Sequence, residues 1–306
     1  MPNDTGFVPR DVRADVIEPA LAGLTATPKT LPAMLFYDDE GCRLFYEITK
    51  LPEYYLTRTE TALLTEIAPA LVPEGFSNAV LVEFGGSDET KARILLDRPD
   101  TPFKTYVSID VAAPALRAMK ARLSQSHPDL SVVPVAGDFM QPLRLPPLGT
   151  PRMGFFPGST IGNLDPDAAT RFLASARESL GVDAWFLLGA DLRKSPTILL
   201  PAYNDSAGVT AAFNLNLLRR LNREAGADFD VAAFRHDAVW NDPESRIEMH
   251  LVSTRDQTVH LGCQSIHFRE GESIHTENSY KHTRQALIDI ARQAGWEMRQ
   301  VWSDHQ

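Results

Sequence analysis

Apolar runs alternate with polar segments through the middle of the chain. Five short runs without strict alternation, rich in β-branched, aromatic or other apolar residues, predict strands at 79–84, 105–110, 130–135, 153–157 and 184–189. Helices are predicted between them at 88–97, 111–126 and 166–180. Continuous apolar strands separated by helices are typical of a parallel sheet covered on both faces. Residues 79–190 therefore predict a doubly wound α/β sheet.

The segments on either side of this sheet have a different pattern. Thr57, three residues ahead of Glu60, predicts a capping box that opens a helix. Beyond the sheet, an amphipathic helix is predicted to end at Gly226, and residues 246–280 alternate like antiparallel strands with one solvated face. A last helix and a strand-like stretch at 297–302 close the chain. We therefore expect an additional α+β domain, with the final helix returning to the first domain.

Composition and charge narrow the class of protein. The chain has 306 residues, 43% of them hydrophobic, and a net charge of -10. Its mean hydropathy is -0.19 and its pI is about 5.3. A chain of this length can bury a substantial core, in one large domain or two ordinary ones. The acidic balance argues against nucleic acid or an anionic membrane as the main partner.

Targeting and metal-binding signals are not visible in the sequence. The N-terminal segment lacks the pattern of a secretory signal, and no apolar run approaches the ~20 residues that span a bilayer. Cys42 and Cys263 are isolated, and the eight histidines fall in no metal-ligand spacing. We expect a reduced, cytoplasmic, soluble protein without a metal.

The ends of the first two predicted strands carry candidate chemistry. Glu83 and Phe84 are followed by Gly85 and Gly86, and glycines allow a ligand to approach the backbone closely. Asp110 ends the second strand, where a carboxylate can accept both ribose hydroxyls of an adenosine. Ligands of open α/β sheets lie beyond the carboxyl ends of the strands. NAD enzymes and methyltransferases that use S-adenosylmethionine (SAM) share this arrangement, so these residues alone leave both open.

The next elements favour SAM. Asp138 and Phe139 follow the third strand, where an acid can accept the adenine amino group beside an aromatic wall. The first helix opens with the acidic segment 87–89, which would repel a pyrophosphate, whereas SAM carries a sulfonium cation and no phosphate. Lys91 can pair with the carboxylate of SAM. Each residue alone fits a helix cap or a solvated acid; together they predict a SAM site.

Several long motifs resemble one known family. "FYDDEGCRLFYEITKLPEYYLTRTE", "FFPGSTIGNLDP", "LGADLRK", "AYNDSAGVTAAFNLNLLRRLNRE" and "RIEMHL" are similar to histidine Nα-methyltransferases of ergothioneine biosynthesis, from about Leu31 to Tyr280. The resemblance implies a class I SAM-dependent methyltransferase fold, a Rossmann-like doubly wound sheet with an inserted α+β substrate-binding domain. It implies three successive methyl transfers to the α-amine of histidine, giving the betaine hercynine, by a protein that acts as a monomer.

The resemblance also implies the domain limits and the site. The SAM-binding domain would comprise residues 59–193 plus 284–306, and the substrate-binding domain residues 1–58 plus 194–283. The implied SAM contacts are Tyr37, Gly85, Lys91, Asp110, Asp138 and Phe139. The implied histidine contacts are Tyr54, Asn163, Tyr203, Met249, Glu277 and Ser279, with Tyr54 and Asn163 as catalytic residues.

The residue types at these positions suit an imidazole substrate. Glu277 and Ser279 are two apart in a strand-like stretch, so both side chains point to one face. One carboxylate and one hydroxyl can satisfy both ring nitrogens of an imidazole. Asn163 and Tyr203 can hydrogen-bond a carboxylate, and Tyr54 can orient the amine. Read singly, each could instead be a packed, turn or solvated residue.

Two departures from the family and three competing functions remain open. The family loop reads G-S-G, whereas Gly85, Gly86 and Ser87 shift the second glycine by one. The family also continues past the position of Gln306 into a closing strand, which implies either a truncated chain or a sheet without that strand. The alternatives are a relative that methylates a thiolated histidine or a tryptophan derivative, a non-catalytic SAM-binding protein, and NAD-dependent hydride transfer. The acidic loop disfavours the last.

Overall fold

The computed structural model describes residues 13–86, 88–141, 143, 145–181 and 183–304. The helices are α1 Glu18–Leu24, α2 Asp39–Ile48, α3 Tyr55–Ile67, α4 Thr90–Leu96, α5 Ala113–Ser126, α6 Pro166–Leu180, α7 Pro196–Tyr203, α8 Val209–Ala225 and α9 Arg284–Gln293. The strands are β1 Lys29–Thr30, β2 Ala79–Phe84, β3 Phe103–Asp110, β4 Ser131–Ala136, β5 Arg152–Phe156, β6 Trp185–Leu188, β7 Phe234–Asn241, β8 Arg246–Ser253, β9 Gln257–Leu261, β10 Gln264–Phe268 and β11 Ser273–Tyr280.

The chain divides into two compact units. One comprises Leu56–Arg193 and Tyr280–Gln306 and is called the parallel-sheet unit below. The other comprises Met1–Tyr55 and Lys194–Ser279 and is called the mixed-sheet unit. No helix in the described ranges combines the length and the apolar character needed to cross a bilayer.

The parallel-sheet unit is built on five strands in the order β4-β3-β2-β5-β6, with every neighbouring pair parallel. All six residues of β2 are buried. Leu81 belongs to an apolar cluster that includes Leu95 of α4 and Leu116 of α5. Its neighbour Val82 belongs to a second cluster, with Phe172 of α6 and Ile290 of α9. Because successive strand residues face opposite sides, helices cover both faces, and the predicted doubly wound sheet is confirmed.

The strand order reverses at β2. The chain runs outward from β2 through β3 to β4, and then returns to the other side of β2 with β5 and β6. In open α/β sheets this switch point, at the carboxyl ends of the strands, is where ligands bind. The loops that follow β2 and β5 therefore define the edge of the sheet that matters for function.

Helix α6 has the limits that its sequence predicts. The Asp165 side chain accepts a hydrogen bond from the Ala168 N–H at 2.7 Å, and Pro166 occupies the first turn. Gly181 caps the other end with a φ of 96°. These are the start and stop signals expected of a helix, and they fix its length.

Helix α3 differs from its prediction. It begins at Tyr55, so Thr57 is the third helical residue and does not cap the helix. The Glu60 carboxylate instead accepts hydrogen bonds from the backbone N–H of Gly158, 98 residues further along the chain. The capping-box prediction is therefore wrong, because a tertiary contact engages the side chain that the motif assigns to the helix end.

The strand-like stretch at 297–302 forms no strand. The order of the parallel sheet ends at β6, and residues 297–302 do not pair with that edge strand. Trp302 packs against the apolar cluster of Leu81, and the Trp296 indole donates a hydrogen bond to the Leu173 carbonyl at 2.8 Å. Side-chain contacts, rather than the backbone pairing of a strand, therefore hold this stretch against the parallel-sheet unit. Gln306 lies outside the described residues.

The mixed-sheet unit contains a four-stranded sheet in the order β1-β11-β8-β7 and a separate β9-β10 hairpin. The β9–β10 pair is antiparallel, as the alternating pattern of residues 246–280 predicts. The β7–β8 pair is antiparallel as well, but β7 precedes the predicted stretch. The β1–β11 pair is parallel, and β1 is too short, at two residues, to be recognised from sequence. Helix α8 ends before Gly226, which has a φ of 64°, as predicted.

Candidate active site

The loop after β2 requires glycine at two successive positions. Gly85 has a φ of 79°, in the left-handed region. A Cβ on Gly86 would lie 2.5 Å from Ser108 Oγ, which leaves no room for a side chain. The N–H groups of Gly85 and Gly86 both donate to the Ile109 carbonyl, at 2.8 and 3.2 Å. The loop therefore presents bare backbone, pinned to β3, at the switch point. Ser87 lies outside the described residues.

The predicted acids lie at neighbouring strand ends of the same edge. Asp110 is the last residue of β3, and its Oδ1 accepts the Ala112 N–H at 2.8 Å. Asp138 follows β4, and its Oδ1 accepts the Met140 N–H at 2.8 Å. The ring of Phe139 comes within 3.5 Å of the position that a Cβ on Gly85 would take. The glycine loop, the two carboxylates and the Phe139 ring therefore lie at the same edge of the sheet.

Lys91 lies on α4, directly after the glycine loop, and is part of an ion pair. Its Nζ lies 2.5 Å from Oε2 of Glu60, and about a fifth of each side chain is exposed. The same carboxylate accepts the Gly158 N–H through Oε1 at 2.7 Å and Oε2 at 2.9 Å. Sequence reasoning placed Lys91 at the cofactor edge but missed Glu60, which its local motif had assigned to a helix end.

Glu83 is buried beneath the glycine loop. Its side chain is 2% exposed and accepts a hydrogen bond from the Tyr106 hydroxyl at 2.5 Å. Burial raises its pKa to about 8, against the lowering effects of Tyr106 and Lys91. Gly86 packs directly on this side chain, because a Cβ there would lie 3.1 Å from its Cγ and Cδ. Glu83 thus supports the loop from below.

Asn163 ends a short 3-10 turn, Thr160–Asn163, that follows β5. The turn starts after Ser159, whose φ is 58° and whose Oγ accepts the Asp191 N–H at 2.9 Å. A Cβ on Gly162 would lie 2.8 Å from the Tyr280 carbonyl, so the turn packs closely on that backbone. These contacts fix Asn163 beside the switch point.

A buried ion pair supports the same region. Lys281, fully buried, lies with its Nζ 3.0 Å from Oδ2 of Asp191. Asp191 follows β6, and the neighbouring Leu192 forms a parallel bridge with His282. No local pattern predicts this pair, because its members are ninety residues apart and lie in separate motifs.

The mixed-sheet unit brings four predicted site residues into one chain of contacts. The rings of Tyr37 and Tyr54 both pack edge-on against Phe45, at centroid distances of 6.2 and 6.3 Å. Tyr54 in turn packs edge-on against Tyr203 at 6.3 Å. The Tyr203 hydroxyl hydrogen-bonds Ser279 Oγ at 2.8 Å. Tyr54 and Tyr203 are buried, whereas Tyr37 is 43% exposed.

The three residues of the predicted imidazole pocket lie on adjacent strands. Glu277 and Ser279 are both in β11, and Met249 is in the neighbouring β8. Met249 is 2% exposed, and its carbonyl accepts a hydrogen bond from Thr276 Oγ1 at 3.0 Å. The roles of these residues toward a substrate stay a prediction.

A cluster of possible metal ligands, unpredicted from sequence, also lies on β8 and β11. One ligand atom each of Glu248, His250 and His275 lies within 4.8 Å of the others. The Glu248 carboxylate is already bound by Arg246 at 2.6 Å and Asn241 at 2.8 Å. Despite burial, hydrogen bonds from Asn241, Arg246 and His250 lower its pKa to about 2. The arrangement is that of a charged hydrogen-bond network between strands.

The fold and the sheet edge together define a class I SAM-dependent methyltransferase. A model of the histidine-specific, SAM-dependent methyltransferase family matches residues 14–306. The histidine N-alpha-methyltransferase of Mycolicibacterium smegmatis is 40% identical over 300 residues, covering 96% of this chain and 90% of that protein. Its counterpart from Mycobacterium tuberculosis is also 40% identical, covering 92% and 89%. A 4-dimethylallyltryptophan N-methyltransferase from Claviceps fusiformis is 28% identical, covering 96% and 91%. The chain belongs to the histidine-specific, SAM-dependent methyltransferase family.

The residues at the sheet edge fit the cofactor of this family. Gly85 and Gly86 leave a side-chain-free approach, and Asp110 ends the strand beside it. Lys91 supplies a cation suited to the carboxylate of SAM, and the edge carries no glycine-rich phosphate signature. The donors and acceptors present therefore match a nucleoside joined to an amino acid.

Proposed function

We propose that the protein transfers methyl groups from SAM to the α-amine of L-histidine, in three successive steps that give hercynine, as part of ergothioneine biosynthesis. The observation that carries the proposal is the placement of Glu277 and Ser279 two residues apart on β11, beside Met249 of β8. A carboxylate and a hydroxyl together satisfy both nitrogens of an imidazole.

The remaining site residues have complementary roles in this proposal. Tyr203 and Asn163 hydrogen-bond the carboxylate of histidine, and Tyr54 hydrogen-bonds its amine. Asp110, Asp138 and Phe139 hold the nucleoside part of SAM. Gly85 lies near its methionine end, Lys91 pairs with its carboxylate, and Tyr37 is a further contact of SAM. The hydrogen bond between Tyr203 and Ser279 supports these assignments, because it links the proposed carboxylate and imidazole contacts directly.

The chemistry makes few demands on acid–base groups. When bound, SAM supplies an electrophilic methyl group on a sulfonium. The protein must align the amine nitrogen with that methyl group, and such alignment can lower a barrier by as much as ~7–11 kcal/mol. The amine must be neutral to attack. Contact with the Tyr54 hydroxyl, rather than with a carboxylate, favours that form. Tyr54 is 8% exposed, so water is largely excluded from it.

We further propose that residues 59–193 plus 284–306 bind SAM, that residues 1–58 plus 194–283 bind the substrate, and that the protein acts as a cytoplasmic monomer. The two compact units support this division, because the predicted cofactor residues except Tyr37 lie in the parallel-sheet unit. Cys42 and Cys263 are both exposed and form no disulfide, which suits a reducing compartment.

Methylation of a tryptophan derivative or a thiolated histidine is the alternative. The relative from Claviceps fusiformis bears the name of a tryptophan-derivative methyltransferase, so such substrates occur among similar proteins. An indole offers one donor and no acceptor, and it leaves one of the Glu277 and Ser279 pair unsatisfied. The pair therefore favours imidazole.

Mass spectrometry of the purified protein with SAM tests the proposal. Histidine, thiohistidine and tryptophan are supplied separately, and trimethylated histidine should form well ahead of other products. Glu277→Ala should reduce kcat/KM for histidine by roughly 10- to 100-fold, the worth of a hydrogen bond to a charged group. Glu270→Ala, which removes an exposed acid from the same unit, is the matched control and should leave the rate unchanged. Faster methylation of another amine would refute the substrate assignment.

A further inference from the structure

We propose that Glu60 is a positioning residue of the SAM site, which holds the Lys91 ammonium in place for the carboxylate of SAM. This inference rests on the proposed use of Lys91 at the amino-acid end of SAM. It assigns a role to a residue outside the predicted site.

Glu60 lies where three ligand-facing loops meet. Lys91 belongs to the helix that follows the β2 loop, Gly158 follows β5, and Gly189 follows β6. Glu60 contacts Lys91 and Gly158 directly, at 2.5 Å and at 2.7–2.9 Å. Because β2 and β5 flank the switch point, this carboxylate sits at the ligand edge of the sheet.

The neighbouring backbone is shaped around the Glu60 carboxylate. A Cβ on Gly189 would lie 1.9 Å from Glu60 Oε1, so a glycine there leaves the space that the carboxylate occupies. A Cβ on Gly158 would lie 3.2 Å from Lys91 Nζ, so the ammonium also packs against the loop. An ion pair on the surface would not need glycine at positions 158 and 189 to leave room for its side chains. Only about a fifth of each side chain is exposed, so solvent ions screen this pair less than an ion pair on the surface.

The Glu60 carboxylate serves both partners at once. Its Oε2 accepts from the Gly158 N–H and from the Lys91 ammonium, and its Oε1 accepts from the Gly158 N–H as well. A glutamine has one acceptor oxygen for these groups and lacks the negative charge that strengthens the bond to the ammonium. Glu60→Gln therefore keeps the shape but weakens the hold on Lys91, so that the cation is less firmly positioned for a ligand carboxylate.

Calorimetric binding of two probes isolates this effect. S-adenosylhomocysteine has the amino-acid end, whereas 5′-methylthioadenosine keeps the nucleoside and lacks that end. We expect Glu60→Gln to weaken S-adenosylhomocysteine about tenfold or more, the scale of a charge-assisted hydrogen bond, and to leave 5′-methylthioadenosine unchanged. Asp97→Asn, which removes an exposed ion pair from the end of the same helix, is the control and should change neither affinity.

A double-mutant cycle shows whether Glu60 acts through Lys91. In a Lys91→Met background, Glu60→Gln should weaken S-adenosylhomocysteine no further, because the cation that it positions is gone. The inference would be overturned if the affinity losses of the two single variants multiplied fully in the double variant. It would also be overturned if Glu60→Gln weakened both probes equally or had no effect. Wild-type protein that binds the probe but does not methylate histidine would instead refute the proposed substrate and leave Glu60 testable.

Gly189→Ala provides an independent variant that keeps Glu60. Its methyl group would lie 1.9 Å from Glu60 Oε1 and 3.2 Å from Pro157 Cα, so the carboxylate should move aside while the backbone shifts by only a few tenths of an ångström. We expect the same selective loss of S-adenosylhomocysteine affinity, with thermal unfolding close to that of the wild type. Unchanged affinity in Gly189→Ala would contradict the proposed geometry even if Glu60→Gln were unstable.

Discussion

At the scale of single residues, the Glu83 carboxyl couples folding to pH. Its pKa is raised by burial to about 8, whereas the unfolded chain has the ordinary value of 4.5. Between these values the folded protein keeps a proton that the unfolded chain releases. Rising pH therefore favours unfolding, by about 1.4 kcal/mol for each unit of pKa difference. The stability that Glu83 contributes is complete below pH 4.5 and is lost as pH rises through 8.

Glu83→Gln should remove this dependence while keeping an acceptor for the Tyr106 hydroxyl. We expect the wild type to lose stability relative to the variant between pH 6 and pH 9, as measured by thermal unfolding of both proteins. If the stability difference between the wild type and the variant were the same at pH 6 and pH 9, Glu83 would ionise alike in the folded and unfolded chains.

At the scale of elements, the β2 loop depends on having no side chain at Gly86. Gly86→Ala places a Cβ 2.5 Å from Ser108 Oγ on β3, so the loop or the strand must shift. We expect a stability loss of about 1–3 kcal/mol, the usual cost of overpacking, and weaker binding of S-adenosylhomocysteine. Gly149→Ala is the control, since its Cβ would meet only Val80 at 3.9 Å. Denaturant unfolding measures the stability of both variants, and calorimetry measures their affinity for S-adenosylhomocysteine. Equal stability and equal affinity in the two variants would contradict a steric role for Gly86.

The same elements show what a sequence can and cannot predict. β2 is recognisable because a strand buried on both faces needs a continuous apolar run, and the acids follow directly at strand ends. Glu60 was misassigned because the Thr57–Glu60 spacing also satisfies a local capping rule. Its real partner, Gly158, lies on another loop, and only the packed fold brings the two together. Contacts between elements distant in sequence leave no local pattern.

At the scale of the whole molecule, three buried or half-buried histidines make the fold sensitive to acid. Burial lowers the pKa of His236 and His275 in the mixed-sheet unit, and of His282 in the parallel-sheet unit. The positive charge of Lys281 adds to the effect at His282. All three histidines therefore bind fewer protons in the folded protein than in the unfolded chain around pH 6.5.

Because the pKa values of these three histidines are lowered in the folded protein, acid destabilises the fold. Stability is complete above the unfolded pKa of 6.5 and falls as pH drops below it, with a slope of up to about 1.4 kcal/mol per pH unit for each group. This slope is opposite to that of Glu83. We therefore expect the thermal unfolding temperature of Glu83→Gln to fall from pH 7.5 to pH 5.5, and to fall more steeply than that of the wild type, in which Glu83 offsets the loss.

His236 offers the clearest test of this acid sensitivity. Its Nε2 contacts the Tyr203 carbonyl at 2.8 Å and its Nδ1 contacts the Asn214 amide at 2.9 Å. A neutral ring donates to the first and accepts from the second, whereas a protonated ring would set two donors against each other at Asn214. His236→Gln should be less stable than the wild type at pH 7.5 but should lose less stability on acidification to pH 5.5. An unchanged pH slope in this variant would show that His236 does not contribute to the acid sensitivity of the fold.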